Sequence, residues 1–360
     1  MKKSLIYIVS IIFSIVLCSQ VNAGLTGACS DCHTMHNSQG GAPMATYGGS
    51  GTAPFQCLVR GNCLGCHGQS ATGGEYVTWG SQRVPQVYHA TGGTDLAAGN
   101  FKYIDTSDAK GHNIDLLGNT EDTIPNVAAS FPPGDEHGNN TAGLTKDTFT
   151  CAGKFGCHGD RDIEGNFESI KGAHHGGVSG VCDGSDLANS YRFLKGVKGH
   201  ENMHATYPWQ NRDSTIHNEY YGASGTGAEC TISTPGGNTI SGFCAECHGN
   251  FHQRSDVTAQ SPVNSPWLRH PTDIVLTNSG EYTSCTAYST MAPVARSSLY
   301  GIINTSGINN VVTPGTDIIM CLSCHGVHAT DYYKLMRWEY DSTSLSTALK
   351  GCNVCHTSKN

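Results

Sequence analysis

Five copies of Cys-x-x-Cys-His punctuate the chain: Cys29, Cys32 and His33; Cys63, Cys66 and His67; Cys244, Cys247 and His248; Cys321, Cys324 and His325; Cys352, Cys355 and His356. A sixth copy is stretched, with five residues between Cys151 and Cys157 ahead of His158. Two thiols so placed can form thioether bonds to the vinyl groups of a haem, and the next imidazole can ligate its iron. Six such sites on 360 residues suit the chain to moving electrons, with six covalent haem c groups as the expected cofactors.

Other uses of the pattern fit poorly. A zinc ribbon takes Cys-x-x-Cys pairs two at a time and has no need of a histidine after each. A thioredoxin-like site needs one pair beside a βαβ unit.

Of 18 histidines, twelve lie outside the motifs, enough to give each of six irons a second axial ligand. A catalytic haem keeps one position open, and no sign of that, such as Lys in place of a motif His, is present. His36 and His328 follow their motif histidines by three residues, a reach of about 10 Å at most. Neither can easily pass round the macrocycle to its own iron, so each is expected to aim at a neighbouring haem. Further candidates are His89, His112, His174, His175, His252 and His270, which makes eight residues for six places. His137, His200, His204 and His217 sit in polar, Gly- or Asn-flanked stretches and read as surface residues.

The elements that hold these groups leave little periodic signal. Gly is 45 of 360 residues and charged residues are 14%, against roughly a quarter in ordinary domains. No long amphipathic helix or sustained strand alternation stands out. The expected fold is mostly irregular coil with short α-helices and few strands, organised around a continuous haem chain. Large apolar macrocycles would stand in for core side chains, and thioether cross-links would remove chain entropy much as disulfides do. A helix is expected near Asp331–Trp338. Spacings between successive first cysteines of 34, 88, 93, 77 and 31 residues bring the first two haems close together, and likewise the last two.

Lys2 and Lys3, an apolar run from Leu5 to Leu17 and Val21-Asn22-Ala23 read as a secretory signal over residues 1–23. The run is too short to span a bilayer, and no later segment is long enough to do so. Residues 24–360 would then form a single elongated, exported hexahaem domain. Cys57, Cys182, Cys230 and Cys285 remain after the haem sites and Cys18 are set aside; the favoured pairing is Cys230 with Cys285 and Cys57 with Cys182. A net charge of −8 without a basic patch disfavours nucleic-acid binding.

The segments CSDCHTMHNSQGGAPM, GHNI, YRFLKG, CAECHGNFH, WLRHP, CLSCHGVHA and GCNVCH resemble, in order and across nearly the whole mature chain, the OmcS-like hexahaem outer-surface c-type cytochromes of metal-reducing bacteria. The resemblance implies a homopolymer: an extracellular filament with a continuous stack of bis-histidine haems, passing electrons to metal oxides or partner cells. It also implies that His36 ligates the fifth haem, on Cys321, Cys324 and His325, of the adjacent subunit. The third site departs from the family pattern in its spacing and in having Arg161 where the family has a second histidine. The Gly-Ala-His-His segment is the expected substitute, His174 in preference to His175. The rival readings are a periplasmic or surface shuttle that does not polymerise, and a multihaem reductase with one haem lacking a distal histidine.

Overall fold

The computed structural model describes residues 25, 27–35, 38–45, 58–69, 72–92, 94–117, 132, 143–145, 147–176, 180–223, 238–248, 270, 272–298 and 308–358. Among them the chain is mostly coil. The α-helices are single turns of four to six residues: Cys29–Cys32, Cys63–His67, Asn166–Ser169, Ile240–Ala245 and Leu345–Ala348. So short a helix is marginal by itself. Two helices at attachment sites are capped by polar side chains: Asn62 accepts from the Gly65 amide at 2.7 Å, and Thr239 accepts from the Gly242 amide at 2.9 Å.

A six-stranded sheet joins residues far apart in sequence, in the order Val181–Cys182, Gly199–His200, Glu219–Tyr221, Ala295–Arg296, Ile318–Ile319 and Ile274–Val275. Neighbours run antiparallel except Glu219–Tyr221 with Ala295–Arg296, which are parallel. A buried ion cluster ties its middle strands. The Arg296 guanidinium reaches Asp317 at 2.6 Å and Glu219 at 3.3 Å, and donates to the carbonyls of Val311 and Asn309.

Apolar packing is divided among three small clusters. One surrounds Tyr191, Tyr220, Phe243, Ile318 and Met320, one surrounds Leu64, Phe101, Ile104 and Ala329, and one surrounds Leu276, Tyr288 and Val294. Among the described residues, no helix is long and apolar enough to cross a membrane.

Two expectations are corrected. Asp331–Trp338 is not a helix: only a 3-10 turn, Tyr333–Leu335, forms there, because Lys334 and Leu335 take left-handed backbone angles, with φ of 55° and 59°. That conformation turns the Lys334 carbonyl to His325 Nδ1 at 3.0 Å and the Leu335 carbonyl to the Gly326 amide at 2.8 Å. His217, read as a surface residue, is fully buried, stacked on Tyr288 with ring centroids 3.6 Å apart. His200 is half-buried and His204 exposed; His137 lies outside the described residues. Cys182 and Cys285 are buried free thiols, and their expected partners Cys57 and Cys230 lie outside the described residues.

Candidate haem-binding channel

A cavity of about 2870 Å³ runs between the clusters, several times the roughly 300–1,000 Å³ of an ordinary ligand pocket. All twelve motif cysteines and all six motif histidines line it, together with His112, His174, His175, His270 and His328.

These imidazoles face one another in pairs. Ring centroids are 5.9 Å apart for His33 and His175, 6.2 Å for His67 and His174, 6.2 Å for His158 and His328, 6.2 Å for His248 and His112, and 6.3 Å for His356 and His270. Each pair joins one motif histidine to one histidine outside the motifs. A metal holds an imidazole nitrogen at about 2 Å, and the ring centroid lies roughly 1 Å behind that nitrogen, so two trans ligands have centroids roughly 6 Å apart. The spacing therefore admits one iron between each pair. His325 forms no such pair among the described residues.

Hydrogen bonds leave the ligating nitrogen free. Nδ1 meets the carbonyl of Leu58 for His33 (3.3 Å), of Pro85 for His67 (2.8 Å), of Val327 for His112 (2.6 Å), of Arg192 for His158 (2.7 Å) and of Lys334 for His325 (3.0 Å). A carbonyl can only accept, so Nδ1 carries the proton and Nε2 keeps its lone pair. Burial also disfavours the charged ring: it pushes His112 and His174 down to about 4 and His328 down to about 3. The neutral imidazole is the form that binds iron.

The stretched site keeps the local geometry of the others. The amides of His33, His248, His325 and His356 donate to the carbonyl of the first cysteine of their motifs at 2.8, 2.9, 3.2 and 2.9 Å, and His158 donates to Cys151 at 2.9 Å. Of the extra residues Lys154 is exposed and Gly153 buried. The Lys154 amide bonds the Ile163 carbonyl at 2.8 Å and its ammonium meets Glu164 at 3.1 Å. Gly156 passes so close to the backbone of Ala152 that a β-carbon would collide with it.

The sites follow one another in chain order. Thiols of successive motifs lie close enough to act on each other electrostatically: Cys32 with Cys66, Cys63 with Cys151, Cys157 with Cys247, Cys244 with Cys321, and Cys324 with Cys352. Sites one and five are also built alike. At the first, the Thr34 amide bonds the carbonyl of left-handed Leu58 (φ 50°) at 3.0 Å, and the Arg60 amide bonds Cys32 at 3.0 Å. At the fifth, Gly326 and Leu335, and then Arg337 and Cys324, make the same contacts at 2.8 and 2.9 Å. Arg60 and Arg337 each donate from the guanidinium to a carbonyl between the two cysteines of their site, Asp31 and Leu322.

Among the sequence candidates, His112 and His328 are held by one stretch of backbone, where the His112 amide bonds the His328 carbonyl at 3.0 Å. Gly99, at φ +91°, bridges to Ala329 where a β-carbon would strike the Ala329 carbonyl. His174 faces the second motif and not the third, which faces His328. His175, ranked behind His174, faces the first; the vicinal pair sits in a one-turn 3-10 helix, Ala173–His175, that points neighbouring side chains at neighbouring sites. Arg161 is instead paired with Glu246, beneath the Phe243 ring. His89 does not line the channel: it is buried with Nδ1 on the Ala90 carbonyl and Nε2 3.6 Å from Asp95. His36 and His252 lie outside the described residues.

Comparison with known proteins gives a consistent relative. No family model matches the chain. It is similar to the C-type cytochrome OmcS of Geobacter sulfurreducens, 24% identical over 390 aligned residues that cover 91% of this chain and 82% of the relative. Two solved structures from that organism, an Outer Membrane Cytochrome S filament and OmcS nanowires seen by cryo-EM, align with 94% of this chain and 100% of theirs. Their TM-scores are 0.45 and 0.46, at 17% and 20% identity.

Proposed function

We propose that the chain is a secreted hexahaem c-type cytochrome that assembles into an extracellular filament and relays electrons to external acceptors such as metal oxides or partner cells. It is an electron-transfer protein and not an enzyme. The observation that carries this reading is the set of five motif-to-distal histidine pairs, 5.9–6.3 Å apart, along one channel. Haem supplies one-electron chemistry when bound there. The chain's own residues would hold it: the motif cysteines would anchor the group, the paired imidazoles would ligate its iron, and backbone carbonyls orient the rings of His33, His67, His112, His158 and His325. Chain-ordered neighbours keep successive sites close.

Three observations support polymerisation through His36. His325 is the motif histidine left without a second imidazole among the described residues. His328, three residues beyond the fifth motif histidine, faces His158 of the third site, two places back in the file. The first site is built like the fifth, and by the same rule His36 would ligate two places back from site one, at the fifth site of a preceding subunit. Large apolar side chains are exposed near both ends of the file: Met35 and Leu58 at one, Tyr333, Tyr340 and Leu345 at the other. Electron microscopy of purified protein tests the reading, with filaments expected; a dispersed monomer with six haems would favour the shuttle.

A further inference from the structure

The sixth site differs from the first, second, third and fifth in what its motif histidine touches. Five channel imidazoles, His33, His67, His112, His158 and His325, have Nδ1 on a backbone carbonyl. His356 has Nδ1 2.9 Å from the Glu281 carboxylate Oε1. The pair is shielded, with side-chain exposures of 21% for His356 and 15% for Glu281. Glu281 is itself held: Ser358 Oγ donates to Oε2 at 2.9 Å, and the Thr357 hydroxyl donates to the Glu281 carbonyl. Glu281 lies in a short 3-10 turn, Gly280–Ser284, whose Tyr282 meets the His356 ring edge-on at 5.0 Å.

A carboxylate pulls harder on the Nδ1 proton than a neutral carbonyl, which makes the imidazole a stronger donor to iron. A stronger donor and a nearby fixed negative charge both favour the ferric over the ferrous state. We propose that Glu281 is a positioning residue that lowers the reduction potential of the sixth haem through His356. This inference rests on the haem reading above. Its consequence is a step in the relay at this site: an electron is held less strongly there than it would be if His356 met a neutral carbonyl.

The sixth site can be followed by itself. The planes of His270 and His356 are 80° apart, against 11°, 24°, 42° and 57° for the other four pairs. Near-perpendicular axial rings give a ferric haem a highly anisotropic low-spin electron paramagnetic resonance signal, distinct from that of near-parallel rings. The experiment is a potentiometric titration of that signal in the six-haem protein and two variants. Glu281→Gln keeps an oxygen acceptor but removes the charge. Its sixth-haem midpoint should rise, and the near-infrared charge-transfer band of that haem should move to longer wavelength, with the other midpoints unmoved. Ser358→Ala, at an exposed position, removes one donor from Oε2 and strengthens the carboxylate, so the same midpoint should fall. Unchanged midpoints, or shifts of the same sign, in variants that retain six haems by intact mass overturn this inference alone. A wild-type protein without haem at Cys352 and Cys355 overturns it together with the haem reading.

Discussion

His158 and His328 face each other with ring centroids 6.2 Å apart, although one closes the third attachment motif and the other follows the fifth. The fifth site thus contributes to the third: one turn carries its own motif, Cys321 to His325, and three residues later presents the His328 ring to His158. His328 is fitted for this by burial, by stacking on Phe101 at 4.6 Å and by backbone bonds to Ala98 and His112.

His328→Ala should leave six haems attached but make one of them five-coordinate. The expected readout is stoichiometric carbon monoxide binding to one haem in six of the reduced variant, where the wild-type filament binds none. Carbon monoxide binding to wild type at the third site would mean that His328 does not ligate there.

His36→Ala should likewise retain six haems, turn the fifth haem high-spin and abolish or weaken filament formation. Normal filaments with all haems low-spin would remove His36 from the junction.

At the stretched site, removing residues 153–155 leaves Cys151-Ala152-Gly156-Cys157-His158, an ordinary Cys-x-x-Cys-His. Because the His158 amide already bonds Cys151 as in the other motifs, this deletion should still carry six haems by intact mass. Gly156→Val, which forces a side chain into the Ala152 backbone, should reduce the load at this site to a single thioether or to none.

Arg296→Ala should destabilise the protein by about 3–5 kcal/mol, since it strands the buried carboxylates of Glu219 and Asp317. Burial already raises Asp317 above the ordinary carboxylate value of 3.8, with Arg296 opposing the rise. Without Arg296 its native value rises further, so the native state holds a proton that the unfolded chain releases. Stability of the variant then falls as pH rises from the unfolded value through the native one, and its deficit against wild type should shrink on acidification. Thermal midpoints of both proteins at pH 5 and pH 7 measure this; a deficit independent of pH would show that the carboxylates do not need the guanidinium.

The attachment motifs are legible in the chain because thioether formation needs its groups within a few residues of one another. Even the stretched run from Cys151 to His158 announces itself. The scarcity of regular structure was legible as well, in the abundance of glycine and the absence of periodicity. Distal ligation was not, because it depends on which loops approach which motif. Nothing in the residues beside His89 (Val-Tyr-His-Ala-Thr-Gly-Gly) and His112 (Gly-His-Asn-Ile) tells a channel histidine from a core one. Only the fold turns His112 to the channel, through the Val327 carbonyl, and His89 towards Asp95. The vicinal His174 and His175 looked like alternatives for one place, yet a single 3-10 turn lets them face two different motifs. The Asp331–Trp338 stretch has helical propensity of its own, but the demand of His325 Nδ1 for a carbonyl bends it into left-handed backbone. Local covalent chemistry lives within short runs of sequence; the pairing of imidazoles across an iron is a matter of distance between segments, which tertiary packing alone decides.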